Sequence, residues 1–218
     1  MLLTINGNVT ETNGDEIQGL RELAMSYQAG FVMNPSINVR HDGSTTSTEH
    51  RAKEDTLYKV FSENKEMFLA GGPDLDPERF MQCACATVQC AIAANGDVYP
   101  CINAPLKSGN VRDQSFHDIW HHSPIFNRIR ELKSSDFSDC TKCTDKPWCS
   151  RSSGNVFTNT GNYTGSDKQT CLEANVKRQV WEDLHGPVDV EKEWEKRRAK
   201  DAEEGVVRGK PEVIPCAG

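Results

Sequence analysis

Cysteine is the residue type through which this sequence could do chemistry. Eight of its nine cysteines, Cys83, Cys85, Cys90, Cys101, Cys140, Cys143, Cys149 and Cys171, fall between residues 83 and 171 of a 218-residue chain, and Cys216 stands apart. Thiols at that density either close disulfides or hold a metal centre. Cys140-Thr141-Lys142-Cys143 is followed by five residues to Cys149 and 21 to Cys171. A Cys-x2-Cys turn points two thiolates at one centre with the intervening amides facing the sulfurs, and two distant cysteines close a four-sulfur cage. All-thiolate cages suit Zn²⁺ and iron-sulfur clusters alike. The segment Met1 to Gly7 has neither a basic region nor an apolar core, so no secretory signal is expected there. A reducing, cytoplasmic setting follows, and metal is preferred over disulfide.

The other four candidates crowd around a hairpin. Ala91 to Ala94 and Asp97 to Pro100 flank Asn95-Gly96, the preferred pair for a two-residue type I′ turn. That turn would set Ala94 opposite Asp97, Ile92 opposite Tyr99, and Cys90 opposite Cys101 on one face. The two thiols could then form a disulfide or converge on a metal, with Cys83 and Cys85 folding back from upstream.

Several elements must position these residues. Over residues 1–70 the pattern reads as strand-helix-strand-helix. Leu2 to Ile5 is a short strand, and a helix starting at Asn13 to Glu16 carries Ile17, Leu20, Leu23 and Ala24. Strand-like Phe31 to Met33 and Ile37 to Val39 come next. A second helix then carries Leu57, Val60, Phe61 and Phe68. This order implies βα units of a parallel sheet. Two such units cover too little of a sheet to stand alone, which marks them as the end of something larger. Residues 71–82 are a turn-rich linker and 83–175 a cysteine-rich domain. In that domain Ser115 and Ser123-Pro124 start short helices, and His117, His121 and His122 lie on a helix surface. Residues 176–218 form a charged helical tail, with Glu193 and Arg197 placed for an i, i+4 pair.

Charge and patterning exclude other classes. With 25 basic against 32 acidic residues and a net charge of −7, there is no basic footprint for nucleic acid. No apolar run reaches about 18 residues, so no membrane span is expected. Phosphate-loop, dinucleotide and nucleophile-elbow motifs are absent.

The phrase Asn95-Gly96-Asp97-Val98-Tyr99-Pro100-Cys101, the run Gly109-Asn110-Val111-Arg112 into Ile119-Trp120, and Cys140-x2-Cys143-x5-Cys149 with Cys171 together resemble the SPASM domain. This is the C-terminal auxiliary-cluster module of radical S-adenosylmethionine (SAM) enzymes, which include maturases of ribosomal peptides and anaerobic sulfatase-activating enzymes. Residues 1–70, through Asn13 to Leu23 and Asn38 to Gly43, resemble the last βα units of the partial barrel that precedes the module. The resemblance implies an α+β fold, with remnant βα units of a partial (β/α) barrel followed by a small cysteine-rich domain of a β-hairpin and short helices.

It also implies [4Fe-4S] clusters. The second would take Cys140, Cys143, Cys149 and Cys171. The first would take Cys101, cysteines from the Cys83, Cys85 and Cys90 group, and a further cysteine shortly after Cys149, where this chain has Ser152 and Ser153. Three thiolates with an open iron, a serine ligand, or all four of Cys83, Cys85, Cys90 and Cys101 are the alternatives, the last slightly preferred. No Cys-x3-Cys-x2-Cys motif is present and no cysteine precedes residue 83. The chain alone is therefore not expected to cleave SAM. The implied partners are an N-terminal radical SAM core or a separate catalytic subunit, and a peptide or protein substrate. Truncation is the preferred explanation. The implied role is electron relay or substrate positioning in an oxidoreductase that matures a peptide. The rivals are a zinc-ribbon-like interaction module and a ferredoxin-like electron-transfer partner.

Overall fold

The computed structural model describes residues 3–69 and 72–205. It mixes helices with two small sheets in an α+β arrangement. β1 (Thr4–Asn8) and β2 (Gly30–Asn34) pair in parallel, from Thr4↔Gly30 to Asn8↔Asn34. A parallel pair needs a long crossover, and α1 (Ile17–Ser26) supplies it after a 3-10 turn at Gly14–Glu16. Asn13 fixes the helix entry, its Oδ1 accepting from Thr10 N at 2.7 Å. Ile17 and Ala24 are buried, whereas Leu23 is half-exposed. Six residues past Ile17, Leu23 lies about 120° off the buried stripe. Ile37 to Val39 form no strand. Pro35 interrupts the chain, and the Val39 amide donates instead to Asn159 Oδ1 at 2.9 Å.

α2 (Glu54–Glu63) and the one-turn α3 (Lys65–Phe68) complete the first region. The second sheet joins β3 (Ala91–Ile92), β4 (Asp97–Tyr99) and β5 (Gly109–Asn110), all antiparallel. α4 (Phe116–His122) is capped by Ser115, whose Oγ accepts from the Asp118 amide at 3.1 Å, and α5 (Pro124–Arg130) opens on its proline. α6 (Ser138–Thr141), α7 (Ser153–Thr160), α8 (Lys168–His185) and α9 (Val190–Glu203) follow. None of these helices, among the described residues, is long and apolar enough to cross a membrane. α9 buries nothing, and Glu193 pairs with Lys196 rather than with Arg197. Cys216 lies outside the described residues.

The core that matters for the cysteines is shared. Val9, Ile17, Leu57, Val60 and Phe61 pack with Val176 and Val180 of α8, each worth about 1.5–3 kcal/mol when fully buried. α8 passes through residue 175 without a break, so the helix holding Cys171 is anchored in the first region. A separate core of Ala86, Val98, Ile119, Phe126 and Ile129 supports the hairpin.

The hairpin register differs from the expected one. Ala91 faces Tyr99 and Ile92 faces Val98. The loop is Ala94-Asn95-Gly96, closed by Gly96 N to Ala93 O and Ala93 N to Asp97 O, both 2.8 Å. Gly96 alone takes positive φ, at 91°, giving a three-residue loop with a glycine bulge instead of a two-residue type I′ turn. A one-residue slip turns every side chain to the other face. Cys90 and Cys101 are thereby no longer cross-strand partners.

Candidate metal centres

Cys140 sits on α6 and Cys143 just past its end. Cys149 follows a 3-10 turn at Lys146–Trp148, and Cys171 lies in the first turn of α8. The structure sets these four within electrostatic reach of one another. Cys171 feels the charges of Cys140 and Cys143, and Cys149 those of Cys140 and Cys171. Burial pushes the Cys149 thiol up to about 11, opposed by the Arg79 charge and the Arg151 amide. Burial likewise raises Cys140 and Cys171. Met81 and Phe137 pack against Cys140 and Cys149. Arg79 fixes the loop from below, donating to Lys146 O at 2.6 Å and Cys149 O at 3.0 Å.

Cys83, Cys85 and Cys101 form a second set. Cys83 Sγ donates to Cys85 Sγ at 3.1 Å, a bond that with burial holds the Cys83 proton firmly. Cys101 accepts from Cys85, which together with the amides of Asn103 and Ala104 lowers its pKa. Ala104 and Tyr163 pack around the three. Cys90 is elsewhere. It packs against the hairpin core and is raised by burial alone, with no charge from another thiol. The four-cysteine arrangement of Cys83, Cys85, Cys90 and Cys101 is thus not what the fold assembles, because the hairpin slip takes Cys90 to the other face.

The two serines that follow Cys149 are also committed. Ser152 Oγ caps α7, accepting from Asn155 N at 3.4 Å. Ser153 Oγ accepts from Arg151 Nη1 at 2.7 Å and donates to Gln82 Oε1 at 3.3 Å. Arg151 stands beside Cys140 and Cys149. Its guanidinium lowers Cys140, its amide faces Cys149, and it also donates to Tyr163 O at 2.7 Å and Gly165 O at 2.9 Å. Sequence reading passed over Arg151, Gln82, Tyr163 and Gly154. The only available signal was that Arg151 and Gly154 flank the serines where a further cysteine was sought.

Among the described residues no three His, Cys, Asp or Glu side chains converge as ligands of one metal ion. The surroundings nonetheless fit thiolate-held inorganic clusters. A Cβ added to Gly154 would come within 2.4 Å of Cys101 Sγ, so the glycine leaves room beside that sulfur. Arg151 Nε and Trp148 Nε1 are buried N–H donors without a partner, available to sulfur acceptors. His117, His121 and His122 are exposed on α4 and join neither set.

Residues 83–144 match the family model of SPASM, described as an iron-sulfur cluster-binding domain. The chain is 32% identical over 84 residues to an AdoMet-dependent heme synthase of Methanosarcina barkeri, covering 37% of this chain and 23% of that protein. It is 29% identical over 150 residues to a mycofactocin maturase of Mycolicibacterium smegmatis, covering 62% and 38%. A heme synthase of Oleidesulfovibrio alaskensis matches at 32% identity over 78 residues, 36% of this chain and 20% of that protein. The chain thus spans less than two fifths of the length of these relatives. Over residues 83–144 the chain thus carries the match of a SPASM domain, an iron-sulfur cluster-binding domain.

Proposed function

We propose that this chain is the auxiliary-cluster portion of a radical SAM enzyme that modifies a peptide or protein in the cytoplasm. The observation that supports the reading is the SPASM-family match over residues 83–144, with Cys83, Cys85 and Cys101 in one cluster of side chains and Cys140, Cys143, Cys149 and Cys171 within electrostatic reach of one another. Cys140, Cys143, Cys149 and Cys171 hold one [4Fe-4S] cluster. Cys83, Cys85 and Cys101 hold another through three thiolates, leaving one position for a ligand other than cysteine. Bound clusters supply one-electron transfer at potentials set by burial and by hydrogen bonds to sulfur.

The chain's own residues set those conditions. Met81 and Phe137 pack over Cys140 and Cys149 of the first of these sets. Arg151 places a fixed positive charge beside Cys140, and Gly154 keeps the space beside Cys101 open. The SAM-binding core comes from a preceding part of a longer protein or from a separate subunit. On this reading β1, α1, β2 and α2 are barrel units that would abut that core. The peptide-modifying role draws on the maturase likeness and is proposed for this chain on that basis.

The test is iron and acid-labile sulfide content after anaerobic purification. We expect brown protein with about eight irons per chain, falling to about four in a Cys140→Ala/Cys143→Ala variant and in a separate Cys85→Ala/Cys101→Ala variant. Colourless protein with stoichiometric zinc would establish the zinc-ribbon-like module instead. A Cys90→Ala variant keeps full iron content on this reading.

A further inference from the structure

β2 bonds only β1 among the described residues, so its other edge carries backbone N–H and C=O groups free to pair. That edge lines a cleft of about 500 Å³. Phe31, Val32, Met33 and Asn34 all contribute to the wall. Successive strand side chains point to opposite faces. A cleft lying on one face would meet every second residue, and a wall made of four consecutive residues is a strand seen edge-on.

The opposite wall is charged. Glu173 and Lys177, one turn apart on α8, line the cleft, and Ser150 and Asn155 bring in the cysteine domain. Glu173 and Lys177 are only 6% and 8% exposed. The Glu173 carboxylate is satisfied by Ser36 Oγ, at 3.1 and 3.0 Å to its two oxygens. Lys177 is less well matched. Its ammonium donates to Ser150 Oγ at 3.1 Å and stands 5.7 and 5.8 Å from the Phe61 and Phe68 rings. No carboxylate forms an ion pair with it among the described residues. The Glu173 carboxylate acts on it as a nearby charge without reaching ion-pair distance, so this buried ammonium, with one hydrogen bond, keeps donor capacity for an anion.

Resting on the peptide-modifying reading above, we propose that this cleft is the seat of an extended peptide that adds to the free edge of β2 and places a carboxylate on Lys177. Strand addition takes its affinity from main-chain hydrogen bonds and its specificity from the side-chain pockets it passes. Here the main-chain partner is β2 and the selective contact is the Lys177 ammonium. The carboxylate can be a Glu or Asp side chain or a free C-terminus, which share this chemistry.

The probes are three seven-residue peptides of alternating Val and Thr, bound to the cluster-loaded full chain and measured by calorimetry. One carries a central Glu and an amidated C-terminus, one a central Gln and an amidated C-terminus, and one a central Gln and a free C-terminus. At least one carboxylate peptide binds about tenfold tighter than the neutral one, and which of them does so identifies the source of the carboxylate. Lys177→Met removes that preference and Lys177→Arg keeps it, with the visible cluster absorption unchanged in both. Methylating alternate peptide amides weakens binding to the unsubstituted protein by a similar factor, a result that needs no variant to fold. Hydrogen exchange slows at residues 31–34 on binding.

Equal affinity for all three peptides overturns the proposal, as does indifference to amide methylation, protection away from β2, or no binding at millimolar peptide. Colourless protein that still shows the preference would remove the cluster reading and leave this site standing. Brown protein without the preference would do the reverse.

Discussion

Gly154 shows how a single missing methyl group can keep space open beside a thiol. It occupies the second position of α7, fully enclosed, with Cys101 Sγ 2.4 Å from where a Cβ would be. Real Cβ contacts are never that short, so an alanine must push Cys101 away from Cys85 or tilt the start of α7. Gly154→Ala is therefore expected to lose the iron held by Cys83, Cys85 and Cys101 and keep the other half, giving about four irons per chain. Unchanged iron content would show that the space beside Cys101 is not used. Ser153 illustrates the opposite situation. Its hydroxyl accepts from Arg151 and donates to Gln82, so it serves to lock Arg151 in place.

At the level of elements, the hairpin is held at its tip by Asp97. Its carboxylate accepts from Lys107 Nζ at 2.6 Å, Asn110 Nδ2 at 2.8 Å and Asn95 Nδ2 at 2.9 Å. The Lys107 bond, followed by that of Asn110, lowers the Asp97 pKa to about 2. A carboxyl whose folded pKa lies below its free value of about 3.9 stabilises the fold above that value and loses the contribution as pH falls toward the folded pKa. The Asp97 side-chain carbon should keep its carboxylate chemical shift at a pH of about 3, where a free aspartate is mostly protonated. Lys107→Ala should raise the midpoint. A midpoint near that of a free aspartate in the unsubstituted protein would refute the network. Two of these side chains, Asn95 and Asp97, belong to the Asn95-Gly96-Asp97 phrase, so the motif legible in the sequence is a turn-locking device before it is a cysteine-placing one.

Across the whole molecule, two cores of different origin meet along α8. The first is ordinary apolar packing, with Leu57, Val60, Phe61, Val176 and Val180 fully or almost fully buried. The second region has short strands, short helices and small apolar clusters around its thiols. A region with so little apolar packing depends on cross-links, as small domains generally do. Removal of iron by an anaerobic chelator is expected to speed amide exchange across residues 83–171 at least about tenfold more than in α2. Uniform acceleration would show that the two regions unfold as one unit. α8 is the element to watch in that experiment, since Cys171 lies at its start and Val180 in the other core.

The sequence by itself determined that eight cysteines crowd residues 83–171 at ligand-like spacing and that a strand-helix-strand unit precedes them. Those features are local or arise from ligand spacing, so composition and period carry them. Tertiary structure alone decided the hairpin register. Asn95-Gly96 is compatible with both a two-residue and a three-residue loop, and the choice depends on how Val98 packs against Ile119 and Phe126. That one-residue difference removed Cys90 from the thiol set. Tertiary structure also decided that Arg151 lies beside Cys140 and that Lys177 lines the same cleft as β2. Both placements depend on contacts between segments far apart in the chain, and no periodicity records them.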